Sequence, residues 1–437
     1  MYFSKHNIFS KIKDSDSYYI VNLLTGNADI LDKAKADELI SGEMTEKEEY
    51  QAKGYVTDEQ SEKKLYTEKY LDFIETRDSD EVQIFFVPWY SCNFECSYCY
   101  QAEYDNKFSI PTKEIIDSFF QYVNNEFKNR KKYITLFGGE PLLQGKKYEE
   151  MVTYFLEKAE SYNLDIAIVT NGYALSEYMD ILKTKRIREI QVTLDGAGEI
   201  HNQRRPLKGG DPTFYKIVEG IDLAIANKIT INLRVVIDKE NIYGLVELSR
   251  FAIEKGWTKS KYFKTQLGRN YELHYCQSGN SKLLSRIEFY ETIYKLIKQY
   301  PEIAEFHKPA FSISKFLFEN GELPSPLFDA CPGTKTEWAF DYTGKIYSCT
   351  ATVGKSGSSL GTFYPEISLQ KERINEWEER DVTTINECKT CNLQLACGGG
   401  CAEVAFNKTG KLHSPDCRPI KESIGLGISL YFNKEIA

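Results

Sequence analysis

The chain has 437 residues, 42% of them hydrophobic and 27% charged, with a formal charge of −9 at pH 7. That length exceeds one small core and predicts two or three domains. The negative balance argues against general nucleic-acid binding, which needs a positive field. No run of about 18 or more apolar residues is present to span a bilayer. The start, Met1-Tyr2-Phe3-Ser4-Lys5-His6, lacks the charged-then-apolar build of a secretory signal, so the expected location is cytoplasmic.

Residues 1–80 read as a small separate module. Strands are predicted at 18–23 and 28–31, joined by Leu24-Thr25-Gly26-Asn27 as a hairpin turn. Charged helix-prone stretches follow at 32–40 and 45–53, and Gly54-Tyr55-Val56-Thr57 starts another short element. A hairpin followed by helices suits a winged-helix peptide-binding module or a plain cap on the next domain.

From Val82 strands and helices alternate. Strands are predicted at 82–87, 132–137, 164–170, 189–194, 231–237 and 261–266, apolar on both parities as in a covered parallel sheet. The first helix carries Ile115, Ile116, Phe119, Phe120, Val123 and Phe127 on one stripe, opened by Pro111-Thr112. Others are predicted at about 147–161, 176–185, 214–227 and 241–255. Six βα units in sequence favour an open, partial barrel, in which ligands gather at the C-terminal strand ends. A bridging helical segment, 276–324, contains an amphipathic helix over 283–300 that is stopped by Pro301. Residues 325–437 change to short strands, glycines and cysteines.

The cysteines number eleven and are clustered: three at 92–99, seven at 331–417, and Cys276 apart. A secreted disulfide framework would spread them in a shorter chain, so metal clusters in a reducing cytosol are the better expectation. Cys92, Cys96 and Cys99 sit on one loop directly after the first barrel strand. Three thiolates there suit an iron–sulfur cube with one iron free of protein ligands. Tetrahedral zinc normally takes four protein ligands, or three including a His, and the nearest downstream histidine is His201.

This loop, with Tyr98 directly before its last thiol, resembles that of the radical S-adenosylmethionine (SAM) family, C-x-x-x-C-x-aromatic-C. Further matches come in the family's order. Gly138-Gly139-Glu140-Pro141 follows the second strand, Thr170-Asn171-Gly172 the third and Thr193-Leu194-Asp195-Gly196 the fourth. The last continues through His201-Asn202 to Arg204-Arg205. The resemblance covers residues 82–270 and implies a (β/α)6 partial barrel over 81–275. It implies that Cys92, Cys96 and Cys99 hold a [4Fe–4S] cluster whose fourth iron binds SAM, the source of a 5′-deoxyadenosyl radical. By family position Gly138, Gly139, Glu140, Tyr98, Thr193 and Arg205 contact SAM. Arg204 is expected in an ion pair, and the structural alternative for Glu140 is a helix N-cap carboxylate.

The second group reads Cys331, twelve residues, Gly344, four residues, Cys349, then Cys388-x2-Cys391-x5-Cys397-x3-Cys401 and Cys417. It is similar to the seven-cysteine SPASM extension of radical SAM enzymes that modify peptides. That implies two auxiliary [4Fe–4S] clusters, three clusters in all. Cys388, Cys391, Cys397 and Cys417 would complete one, while Cys331, Cys349 and Cys401 give only three ligands to the other. Cys276, a substrate thiol, water or another side chain would fill its fourth position. In sulfatase-maturing relatives an aspartate base follows the Cys349 position, where this chain has Thr350; Asp341 and Asp416 are substitutes, though both suit turn caps.

The resulting expectation is a radical SAM/SPASM maturase that installs a thioether or a carbon–carbon or carbon–oxygen ring in a ribosomal precursor peptide. Its N-terminal module would bind the leader, and flavodoxin or ferredoxin would supply electrons; neither a nucleic acid nor a membrane is an expected partner. The alternatives are a formylglycine-generating sulfatase-type maturase and a non-catalytic iron–sulfur carrier.

Overall fold

Strand formation begins at once in the N-terminal segment, with β1 (Tyr2–Phe3), β2 (Asn7–Lys11), β3 (Tyr18–Asn22) and β4 (Asn27–Leu31). The structure, a computed structural model, describes residues 2–43, 45, 47–99, 110–270 and 281–432. The predicted hairpin is β3–β4, and β2 extends it to an antiparallel meander. Successive strand residues face opposite ways. Ile20 therefore joins a small core with Leu31, Leu39, Tyr50, Tyr55 and Val56. Tyr19 and Val21 join a different core with Phe328, Val382, Ile385, Ile424 and Ile428. The N-terminal segment thus shares an apolar core with the C-terminal region.

After α1 (Lys33–Ser41), α2 (Lys47–Ala52) and β5 (Val56–Thr57) comes α3 (Glu59–Ser79), a 21-residue helix that sequence reasoning missed. Its aromatic stripe, Tyr66, Tyr70 and Phe73, is narrow and diluted by charge, yet all three rings pack around Phe328. Asp58 caps it by accepting from the Gln60 and Ser61 N–H groups.

The six predicted barrel strands all form, each end within three residues of expectation. They are β6 (Val82–Val87), β7 (Lys132–Leu136), β8 (Ile166–Thr170), β9 (Ile187–Thr193), β10 (Ile231–Ile237) and β11 (Phe263–Arg269). They pair in parallel and in sequence order, as right-handed crossovers of a partial barrel require. The crossovers carry α4 (Lys113–Glu126), α5 (Lys146–Ser161), α6 (Leu175–Leu182), α7 (Glu199–Arg204), α8 (Phe214–Ala226) and α9 (Leu245–Glu254). Thr112 caps α4 through the Ile115 N–H, and the Phe86 ring of β6 packs tilted against Phe119 (centroids 4.5 Å) and stacks on Phe155 (5.1 Å), closing the helix layer onto the sheet.

Helices α10 (Arg286–Gln299), α11 (Glu302–Phe306) and α12 (Ser314–Asn320) lead to β12 (Glu337–Asp341), which pairs in parallel with β6. Antiparallel β13 (Lys345–Tyr347), β14 (Gly361–Thr362) and β15 (Ser368–Leu369) complete one ten-stranded sheet. The cysteine-rich region therefore grows on the barrel's first strand, beside the strand that delivers the Cys92 loop. Helices α13 (Lys371–Glu378), α14 (Gln394–Cys397), α15 (Ala402–Thr409) and α16 (Ile420–Phe432) finish the chain. Among the described residues no helix is long and apolar enough to cross a membrane.

Candidate active site

Strand β6 is buried along nearly its whole length and ends at Val87, so the chain leaves the sheet as the Cys92 loop with its start fixed. The loop is then pinned to the segment after α7. The Glu95 N–H donates to the Pro206 carbonyl (3.0 Å), Ser97 N–H to Arg204 (3.1 Å) and Lys208 N–H to Asn93 (2.8 Å). Cys92 Sγ accepts from the Phe94 N–H at 3.4 Å. Burial pushes the Cys92 thiol up to about 12 and the Cys96 thiol to about 11. Thiolates at these positions accordingly need a strong electrophile beside them, as iron would be, and loading it releases protons.

The glycine pair after β7 serves this loop by its lack of side chains. A Cβ on Gly139 would stand 2.2 Å from the Ser91 carbonyl oxygen and 2.3 Å from that of Tyr90. Gly138 has φ +139°, and a Cβ there would be 2.7 Å from Val87 Cγ1. Both glycines line the cavity described below. Glu140 is 1% exposed and is not among the lining residues. Its carboxylate accepts from the Thr170 hydroxyl (2.5 Å), the Asn171 N–H (2.5 Å) and the Leu142 N–H (2.8 Å). It fastens the loop after β7 to the end of β8. Burial outweighs these bonds and raises its carboxyl to about 7.

A cavity of about 640 Å³ opens at the C-terminal ends of the strands, where βα folds place ligands. Cys92, Cys96, Cys99 and Tyr98 line it together with Gly138, Gly139, Thr193 and Arg205. All the sequence-predicted SAM contacts except Glu140 therefore share one chamber with the three thiols. Arg205 Nη1 donates to the Tyr98 hydroxyl at 2.6 Å. Arg204 does not line the cavity: its guanidinium lies 5.1 Å from the Tyr98 ring centroid, and its side chain is 6% exposed and pairs with Asp238 at 2.9 Å and Asp195 at 3.4 Å. Arg204→Ala leaves two buried carboxylates uncompensated, and the expected loss is ~3–5 kcal/mol of stability in a urea titration. The half-exposed Arg186–Asp165 pair is the contrast, since Arg186→Ala is expected to cost less than ~1 kcal/mol.

Sequence reasoning did not single out Lys208, Gln191, Arg234 and Arg269, which also line the cavity. The signal was available for Arg234. In β10, Ile231, Leu233, Val235 and Ile237 are buried while Asn232, Arg234 and Val236 alternate with them, so this strand is not apolar on both parities.

In the second cysteine group, the Cys388 thiol is raised to about 12 by burial and then by Cys397, Cys391 and Cys417. The Cys349 thiol is raised by burial, Glu337, Cys331 and Cys401. Cys391, Cys397 and Cys417 are thus neighbours of Cys388, and Cys331 and Cys401 are neighbours of Cys349. Cys276 lies outside the described residues. Between Cys397 and Cys401 the left-handed glycines Gly398, Gly399 and Gly400 let the chain turn tightly. The fully buried Arg380 donates to the carbonyls of Gly399, Gly400, Leu412 and Ser414. All ten described cysteines are free thiols. The donors in each set are sulfur alone, which suits iron–sulfur chemistry. Among the described residues no three His, Cys, Asp or Glu side chains close on one point as a single-ion site does.

Thr350 lines the cavity, and behind it stands a carboxylate that sequence reasoning missed. Glu337 accepts from the Thr350 N–H (2.8 Å) and hydroxyl (3.2 Å), and burial raises its carboxyl. Asp341 accepts from the Tyr90 (2.9 Å) and Tyr347 (3.0 Å) hydroxyls while capping its turn through the Thr343 N–H. Asp416 is gripped by Arg286 at 2.5 and 3.0 Å; burial would raise its carboxyl, but Arg286 holds it below the usual range. Both aspartates act as structural anchors.

Residues 86–252 match the model of the Radical SAM superfamily. The chain is 24% identical over 351 residues to a cysteine-type anaerobic sulfatase-maturating enzyme of Clostridium perfringens, covering 78% of this chain and 90% of that protein. It resembles the structure of native anSMEcpe with bound AdoMet and Cp18Cys peptide, with TM-score 0.62, 19% identity and coverage of 82% and 98%. It also resembles Streptococcus suis SuiB bound to precursor peptide SuiA, with TM-score 0.55, 14% identity and coverage of 95% and 98%.

Proposed function

We propose that the chain is a radical SAM enzyme of the peptide-maturase kind, which abstracts hydrogen from a residue of a ribosomally made precursor peptide and installs a crosslink, a thioether or a carbon–carbon or carbon–oxygen ring. Cys92, Cys96 and Cys99 hold the [4Fe–4S] cluster. Gly138, Gly139, Tyr98, Thr193 and Arg205 surround SAM. When bound, cluster and cosubstrate supply a hydrogen-abstracting 5′-deoxyadenosyl radical. The protein's part is to orient the peptide against this chamber and keep water out of it. Cys388, Cys391, Cys397 and Cys417 would hold one auxiliary cluster and Cys331, Cys349 and Cys401 a second, which would supply acceptors for the electron left after crosslinking; flavodoxin or ferredoxin would supply the electron that starts the reaction.

The observation that carries the crosslinking reading is Thr350 in the cavity wall, where the sulfatase-type enzymes place an aspartate base. A threonine hydroxyl does not accept a proton near neutral pH. The N-terminal meander supports a leader peptide as partner. Among the described residues β4 pairs only with β3, its far edge is free to take an added strand, and Ile30 on it is 56% exposed.

A formylglycine-forming reading is favoured by the sequence likeness to the sulfatase-maturating enzyme and by Glu337 standing behind Thr350. Co-expression with a short precursor peptide encoded beside the gene separates the two. The expected product has lost a hydrogen pair, resists fragmentation inside a ring and does not react with hydroxylamine. An aldehyde trapped by hydroxylamine would decide for formylglycine.

A further inference from the structure

The wall of the cavity formed by β10 and β11 carries charge that neither the cysteines nor SAM explain. Arg234 lies in the middle of β10, and its guanidinium passes over Gly268 of β11, where a Cβ would come within 3.6 Å of Nε and Nη2. Its Nε is buried and has no hydrogen-bond partner. Among the described residues no carboxylate pairs with it, whereas Arg204 nearby is neutralised by Asp195, Asp238 and Glu240. Arg269 at the end of β11 lines the same wall, with Nη1 donating to the Leu284 carbonyl. Arg205 and Lys208 add two more cations to the lining, and among the described residues its one acidic member is the exposed Glu95.

The expected occupants do not balance this charge. A thiolate-ligated cube is anionic and SAM carries a sulfonium beside its amino-acid group, so the two come close to cancelling. The SAM carboxylate needs one cation, and Arg205, bonded to Tyr98 on the cysteine loop, is placed to supply it. Arg234, whose buried Nε has no partner, is left over among the described residues, in a chain whose formal charge is −9. A positive chamber in a negative protein attracts and orients an anion.

We infer that the β10–β11 wall, centred on Arg234, is a subsite for a carboxylate of the peptide substrate, so that the modified residue lies next to an Asp, a Glu or the peptide's own C-terminus. The inference rests on the maturase reading and narrows its substrate class to acidic peptides. A guanidinium presents two parallel N–H groups to a carboxylate, and partial burial protects such a pair from screening. Register supports the location: Arg234 is the Cα partner of Thr193, so the held carboxylate borders the proposed SAM contact.

The test uses the full chain, reconstituted with iron and sulfide and saturated with SAM. Fluorescence-anisotropy competition compares an amidated peptide, Gly-Cys-Asp-Ser-Gly, with its Asn twin and with the Asn twin carrying a free C-terminal acid. The expected result is about tenfold tighter binding of a carboxylate-bearing peptide, shrinking as salt is added. A gain by the Asp peptide assigns the side chain, and a gain by the free acid assigns the terminus. Arg234→Gln is expected to erase the gain and Arg234→Lys to keep part of it. Equal binding of all three peptides overturns the inference, as does binding of none at millimolar concentration. So does a loss of SAM affinity in Arg234→Gln with the peptide ratio unchanged, because Arg234 then belongs to the cosubstrate. Formation of 5′-deoxyadenosine from SAM is measured in parallel. Its absence would sink the maturase reading, while the peptide ratios decide the subsite.

Discussion

Replacing Cys92, Cys96 and Cys99 together by alanine is expected to abolish 5′-deoxyadenosine formation and to remove about four iron atoms per chain, the content of one cube. The other cysteine sets should keep their iron, because they are built on separate elements. Cys331 and Cys349 flank β12 and β13, while Cys388, Cys391, Cys397 and Cys417 lie around α14 and before α16. The fold should survive as well, since the loop is held by its backbone bonds to Arg204, Pro206 and Lys208 rather than by sulfur. Iron analysis, product chromatography and circular dichroism on the same preparation check all three parts. Residual 5′-deoxyadenosine in the triple variant would move the SAM site elsewhere.

Glu140→Ala is expected to destabilise the fold about as strongly as Arg204→Ala. It strips the Thr170 hydroxyl and the Asn171 and Leu142 N–H groups of their acceptor in a place where water does not reach. Each buried donor left unpaired costs ~1–3 kcal/mol, and the sum for the trio, allowing for relaxation, is about 3–5 kcal/mol. The pH dependence has a definite sign. The folded carboxyl, near 7, lies above its ordinary 4.5, so the folded state binds the proton more tightly than the unfolded one. The contribution of this group is full below about 4.5 and is lost as pH rises through about 7. Urea titrations of wild type and Glu140→Gln between these limits should show the wild type losing stability relative to the variant as pH rises. Parallel curves would mean that Glu140 is ionised throughout.

Sequence reasoning found the barrel because its strands are short apolar runs and its helices carry one wide stripe each, patterns that burial on a parallel sheet enforces. It found the thiols because three of them at that spacing on a loop have few other uses. What it missed depends on contacts between distant segments. Nothing local in Glu337 marks it as the carboxylate behind Thr350, since β12 must first pair with β6 to bring it there. Glu140 was expected to complement SAM or to cap a helix N-terminus. Instead the tight approach of Gly139 to Tyr90 and Ser91 turns the carboxylate inward, toward β8. Helix α3 escaped notice because its aromatic stripe faces a partner, Phe328, more than two hundred residues away.

The thiols of the Cys92 loop are expected to cage a cluster whose open iron takes SAM in the chamber lined by Thr193 and Arg205. Electron paramagnetic resonance of the dithionite-reduced protein, recorded with and without SAM, tests it most directly. Adding SAM is expected to change the g-values of one cluster signal, the one missing from the Cys92/Cys96/Cys99 variant. A reduced spectrum identical with and without SAM would contradict it.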